Sequence, residues 1–155
     1  MVIEICDLRF SFMLNRFKMI ASAYLLLIRQ RKIFLLRRKN TGYKDGYYSV
    51  PAGHIEENES LTSGATREFF EEVGLRFNSK DLKLVHVMHR KEEDIRMDFF
   101  FTGNVDRQKP FNKEPEKCDD LGWFPLNSLP NNTIPYIAEA IRSYQKHVFF
   151  SEFGW

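Results

Sequence analysis

Three glutamates give this chain its first chemical signal. Glu68, Glu71 and Glu72 stand at i, i+3 and i+4, so on a helix they share one face. Like charges at those spacings destabilise a helix by roughly 0.2–0.5 kcal/mol per pair. Glu71 and Glu72 also precede Gly74, which places them in a last turn, where the helix dipole prefers cations. Functional sites are where local rules are broken together. A divalent cation would relieve both penalties, and carboxylates are the hard oxygen ligands that Mg²⁺ or Mn²⁺ takes. The competing reading of the three glutamates alone is a solvated acidic face.

The surrounding residues favour the metal reading. The stretch 50–75 reads VPAGHIEENESLTSGATREFFEEVGL. Gly53 is followed after five residues by Glu59. Seven residues later come Arg67-Glu68, apolar Phe69, Glu71-Glu72, Gly74 and apolar Leu75. This pattern is the Nudix box, complete at every defined position, and the chain resembles the Nudix hydrolases. The resemblance implies a loop–helix–loop that holds Mg²⁺ through Glu68, Glu71 and Glu72, with the Gly53 carbonyl as a further ligand. It implies that Glu59 and Arg67 pair to hold the loop against the helix; the alternative for those two is an ordinary surface ion pair. Family members cleave a nucleoside diphosphate linked to another group. The metal polarises the pyrophosphate and lowers the pKa of a bound water, and a carboxylate takes the proton. The resemblance points to Glu72 as that base.

Subclass marks narrow the substrate. ADP-ribose hydrolases of the family carry a proline shortly after the box, but none lies between Pro51 and Pro110 here. Diadenosine polyphosphate hydrolases carry a tyrosine there, but none lies between Tyr48 and Tyr136. The coenzyme A signature is missing as well. The segment 112–130, NKEPEKCDDLGWFPLNSLP, resembles nucleoside triphosphate diphosphatases, with an EPEK run, a tryptophan and a Leu-Pro pair at matching spacing. The expected reaction is (d)NTP to (d)NMP and pyrophosphate. The alternatives are a Nudix-fold nucleotide sensor without catalysis, or a hydrolase of a sugar nucleotide or an RNA 5′ end. By the same resemblance Glu116 approaches the metals or the base-binding loop, against a solvated acid as the other reading. Arg38 and Lys39 are expected at the phosphates or ribose; alternation puts Arg38 opposite Arg37 and Lys39, so the three cannot all serve. His54 reads as a surface histidine, and Trp123 as core rather than a stacking platform.

The elements that must position these residues follow from pattern. Residues 18–28 read as one buried strand and 32–37 as a second, joined through Gln30-Arg31. Residues 40–46, with Gly42 and Gly46, form a loop, and 47–50 is short and extended. Residues 60–73 form a helix with Ser60 as N-cap and Gly74 as a left-handed C-cap. Strands are expected at 82–89 and 95–103, joined by the charged turn 90–94, and at 122–126. Pro135 opens a closing helix over 136–147. Residues 1–17 are an extra strand or an N-terminal extension. The fold class is α/β, a single Nudix domain over 1–155 with a mixed β-sheet sandwiched between α-helices.

Composition agrees. Hydrophobic residues make up 43% and charged residues 28%, as in a globular chain. The apolar run 24–28 is far short of the roughly 20 residues of a membrane span, and no secretory signal pattern is expected in the opening residues. Cys6 and Cys118 make neither a metal spacing nor a disulfide framework, so a cytoplasmic location is expected. The net charge is +2, with ten Lys or Arg and no acid in 8–44, then seven acids and one base in 45–75. That is two solvated faces, or a basic strand pair beside a metal-holding segment, as a phosphate substrate requires. A nucleic-acid module shows a larger basic excess. The expected partner is therefore a small-molecule nucleotide, with no membrane and no stable nucleic-acid partner. The aromatic C-terminus, with Phe149, Phe150, Phe153 and Trp155, covers the core or forms a dimer contact, so monomer and homodimer both stay open.

Overall fold

The segment 18–28, expected as one strand, is shared between two sheets. In the computed structural model, which describes residues 17–105 and 107–155, β1 (Ile20–Leu25) ends where the chain crosses to β2 (Ile28–Arg29). At the crossing the Leu26 N–H bonds the Phe101 carbonyl, while the Leu27 carbonyl accepts from the Phe34 N–H. Neighbouring backbone groups thus serve different partners, which periodicity cannot reveal. The remaining strands are β3 (Lys32–Arg38), β4 (Tyr48–Ser49), β5 (Ala52–His54), β6 (Leu82–Lys91), β7 (Ile95–Gly103), β8 (Cys118–Pro125) and β9 (Phe150–Phe153). The helices are α1 (Leu61–Val73) and α2 (Pro135–Gln145).

One sheet has the order β5-β1-β7-β6-β9. It is mixed: β1–β7 and β6–β9 are parallel, β1–β5 and β6–β7 antiparallel. In the other sheet β3 pairs with β2, β4 and β8, all antiparallel. Both faces of β1 are buried. Tyr24 joins a core with Leu35, Met88, Phe100 and Ile137 of α2. Ala23 and Leu25 join another with Phe34, Phe101 and Phe69 and Val73 of α1. Helices therefore cover opposite sides of the strands, as the α/β sandwich requires, and strands buried on both faces read as continuous apolar runs.

The helix signals act locally and hold. The Ser60 side chain accepts from the Ser63 N–H, and Gly74 has φ 70°. Pro135 opens α2, which ends at Gln145. Four differences matter for the site. The box opens with a strand, β5, rather than a loop. β6 runs on to Lys91, so Arg90 belongs to a strand and not to the charged turn. β8 begins at Cys118 instead of residue 122. The aromatic tail forms β9, where Phe153 packs against the α2 core while Phe149, Phe150 and Trp155 stay exposed. Trp123 packs edge-on against Phe34 with ring centroids 5.5 Å apart, a core contact. No helix among the described residues is long and apolar enough to cross a membrane. The expectation for residues 1–17 lies, apart from Phe17, outside the described residues, as does Cys6.

Candidate active site

The box helix meets the edge strand β5 at a glycine. A side chain at position 53 would collide with the Glu68 carboxyl group and would have to displace it. The loop between them is gathered by Arg67. Its Nε and Nη2 fork onto Glu59 at 3.2 and 2.7 Å, and Nη2 also donates to the His54 carbonyl at 3.2 Å. Arg67 and, after it, the Glu56 N–H hold the Glu59 carboxyl below the usual carboxylate range. Arg67 does more than the sequence indicates. Its Nη1 donates to Glu68 at 2.8 Å and to Glu71 at 3.2 Å. The last turn of α1 carries no base of its own, so Arg67 supplies the charge that offsets two of the three crowded glutamates.

Glu72 is arranged differently. It accepts from the Ala52 N–H at 2.8 Å, a tie from the end of α1 to the start of β5. Its pKa is pushed up to about 8: burial dominates, the Ala52 N–H opposes it, nearby Glu114 and Glu68 add to the rise, and Arg38 pulls the other way. The three glutamates therefore do not converge as placed. Among the described residues no group of three His, Cys, Asp or Glu side chains is gathered closely enough to hold a metal. The donor set nevertheless fits a divalent cation. Glu68, Glu71 and Glu72 are hard oxygen donors, and Glu72 is a carboxyl that is costly to ionise without a cation.

The Gly53 carbonyl does not fit its expected role. Leu25 donates to the Pro51 carbonyl and Ile55 to the Ala21 carbonyl, and Gly53 lies opposite Ala23, midway between these pairs. Hydrogen-bonded pairs alternate in an antiparallel ladder, so the Gly53 carbonyl faces β1. The carbonyl turned outward beside Glu72 is that of Ala52, whose N–H already bonds Glu72.

The segment 111–118 reaches the site by capping α1. The Phe111 and Lys113 N–H groups donate to the Val73 and Glu72 carbonyls, each at 3.1 Å, which satisfies acceptors that a helix end leaves open. The Phe111 ring occupies the space where a side chain at Gly74 would stand. Asn112 then fixes the turn, donating to the Cys118 carbonyl at 2.8 Å and accepting from the Glu114 N–H at 3.0 Å. Lys117 Nζ bonds Glu114 at 2.7 Å.

A cleft of about 720 Å³ joins these parts. Arg38, Ala52, Glu72, Glu114 and Lys117 line it, as do Tyr24, Tyr43 and Arg90. Lys39 and Glu116, both expected at the substrate, do not. Lys39 alternates away from Arg38 and its N–H is tied to the Lys117 carbonyl at 2.8 Å. Glu116 lies between the cleft-facing Glu114 and Lys117 of the same turn, and its carbonyl accepts from Asn40 at 3.3 Å. Arg38 lines the cleft while bracing the 40–46 loop, through the Tyr43 carbonyl at 2.8 Å and Thr41 Oγ1 at 3.0 Å.

The sequence reading missed the other wall. Arg90 is 2% exposed and pairs with fully buried Asp98 at 2.5 Å. Arg90 also bonds Glu92 and stacks over Tyr136 at 3.9 Å. Glu92 in turn accepts from the Tyr43 hydroxyl at 2.7 Å, so the chain Asp98–Arg90–Glu92–Tyr43 ties the two sheets together across the cleft. The available signal was an acid, Asp98, inside the apolar run of β7.

Comparison with known proteins gives consistent results. Residues 18–144 match the NUDIX domain family. An 8-oxo-dGTP diphosphatase from Buchnera aphidicola subsp. Schizaphis graminum is 28% identical over 130 residues, covering 81% of this chain and 92% of the relative. Phosphatase NudJ from Escherichia coli strain K12 is 27% identical over 101 residues, covering 63% of this chain and 66% of NudJ. The crystal structure of a MutT NUDIX hydrolase from Burkholderia pseudomallei aligns with a TM-score of 0.73 at 21% identity, over 81% of this chain and 98% of that one. At that identity the likeness speaks to the fold.

Proposed function

The chain belongs to the Nudix family of hydrolases, and from that premise we propose that it uses Mg²⁺, with Mn²⁺ as a substitute, to hydrolyse a (d)NTP to (d)NMP and pyrophosphate. Its membership makes it a hydrolase of phosphoric anhydride bonds. The observation that carries the substrate reading is the docking of segment 111–118 onto the end of the box helix. That segment bears the triphosphate-type EPEK run, and it brings Glu114 and Lys117 to the cleft beside Glu72. The diphosphatase from Buchnera supports the same class.

Glu68, Glu71 and Glu72 would hold the ion, with the outward carbonyl of Ala52 in the place first expected of Gly53. When bound, the ion supplies a polarised phosphoryl group and a water of lowered pKa. Glu72, tied to the Ala52 N–H at 2.8 Å and lining the cleft, is the carboxylate assigned to take the water's proton. Arg38 and Lys117 line the cleft and are assigned to meet phosphate oxygens. Glu59 and Arg67 position the loop and touch no substrate. A panel of nucleotides with Mg²⁺, scored for pyrophosphate against orthophosphate, tests the reading. The expected products are pyrophosphate and a monophosphate, and a kcat/KM for ADP-ribose well above that of every triphosphate would overturn the subclass.

A further inference from the structure

Among the described residues, Ser22 Oγ is the one buried side-chain nitrogen or oxygen without a hydrogen-bond partner. Ser22 is 2% exposed and lines the cleft. A buried hydroxyl left unpaired is unfavourable, and its presence calls for a physical reason. Its surroundings supply one. The register of β1 sets Ser22 beside His54 on β5 and Asp98 on β7, so the three side chains share a face of the sheet. Arg96, two residues from Asp98, shares that face as well. His54 and Arg96 both line the cleft.

The hydrogen bonding makes this patch a set of donors. Arg96 Nη1 lies 2.8 Å from His54 Nε2. A guanidinium only donates, so Nε2 accepts and the His54 ring carries its proton on Nδ1. Of the neighbouring acids, Asp98 pairs with Arg90 at 2.5 Å and Asp94 with Arg96 at 3.1 Å, while Glu92, which shares Arg90, and Glu93 line the same cleft. A free hydroxyl, a ring N–H and a guanidinium thus stand next to the strand that carries Ala52 and Gly53. Donors with a positive charge recognise an oxyanion.

We propose that Ser22, His54 and Arg96 form a subsite for the oxygens of the pyrophosphate portion of the substrate. This rests on the triphosphate reading above and adds to it the residues that distinguish a polyphosphate from a monophosphate. Losing one hydrogen bond to a charged group weakens binding about tenfold or more.

The probe is pyrophosphate with Mg²⁺, titrated calorimetrically into wild type, Ser22→Ala, Arg96→Gln and Arg96→Lys. Pyrophosphate affinity should fall about tenfold in Ser22→Ala and Arg96→Gln, with part of the loss recovered in Arg96→Lys. Nucleoside monophosphate affinity should stay within about twofold. Because Ser22→Ala removes an unpaired hydroxyl, its melting point without ligand should not fall. Unchanged pyrophosphate affinity in both variants, or an equal loss for monophosphate, would overturn the subsite. A lower melting point of Ser22→Ala would also overturn it, by showing that the hydroxyl serves the fold. A wild type that turns over no triphosphate would refute the proposed substrate, whereas the pyrophosphate titration still reads the subsite.

Discussion

Replacing Glu59 by Gln removes one charge from a pair proposed to position the loop rather than to touch the substrate, so its effects on stability and on rate should separate. The Glu59 and Arg67 side chains are 17% and 26% exposed. An ion pair this accessible contributes about 0–1 kcal/mol after screening, with the two-pronged geometry favouring the upper end. Arg67→Gln should cost more, roughly 1–3 kcal/mol, since Glu59, Glu68 and Glu71 all lose their shared cation. Catalysis answers to geometry, where a displacement of about 1 Å can lower the rate around a hundredfold. Both variants should therefore lose far more activity than stability. The double variant should be little worse than Arg67→Gln, because Glu59 acts mainly through Arg67. The two single variants should differ in one further respect. Arg67→Gln frees Glu68 and Glu71 and should shift the Mg²⁺ concentration giving half-maximal rate, while Glu59→Gln should leave it nearly unchanged. Values of kcat/KM across a Mg²⁺ series, with urea denaturation of all four proteins, read every term. Fully additive losses in kcat/KM would refute the reasoning and make Glu59 a direct participant.

Glu72 sets a pH dependence. Its pKa rises from an ordinary 4.5 to about 8 on folding, so the folded chain binds this proton more tightly than the unfolded one. In chelator, its contribution to stability should be favourable below about 4.5 and should be lost as pH rises towards 8. Glu72→Gln should flatten that trend in pH-dependent melts, and a wild-type trend identical to the variant's would refute it. Gly53→Ala should lose most activity, because the new methyl displaces the Glu68 carboxyl, at an overpacking cost of about 1–3 kcal/mol; paired rate and melting measurements check it. Phe111→Ala removes the ring packed beside Gly74 and should loosen the backbone cap on α1. Since Glu114 contributes to the raised Glu72 pKa, the Glu72-dependent trend of the melts in chelator should shift to lower pH, and an unmoved trend would show that Glu114 keeps its place without the cap.

The box could be read without coordinates because its determinants are local. Ser60 and Gly74 bracket α1 through bonds made within a turn, and Glu68, Glu71 and Glu72 are set on one helix by spacing alone. The Glu59–Arg67 partnership was legible by resemblance, but Arg67's grip on Glu68 and Glu71 depends on its rotamer in the folded helix. Sheet register decided most of the rest. It turned the Gly53 carbonyl towards Ala23 and left that of Ala52 outward, and it set Ser22, His54 and Asp98 side by side from strands far apart in sequence. Within the EPEK run, a turn fixed by Asn112 and a cap on the α1 carbonyls put Glu114 and Lys117, and not Glu116, into the cleft. The charged tip that the sequence suggested at 90–94 became a strand end because Arg90 found a buried partner in Asp98. Local spacing thus determined the chemistry that this chain carries, through forces acting within a few residues. Its access, its neighbours and its acid–base balance were decided by pairings between distant strands, whose energies depend on partners that sequence order does not place together.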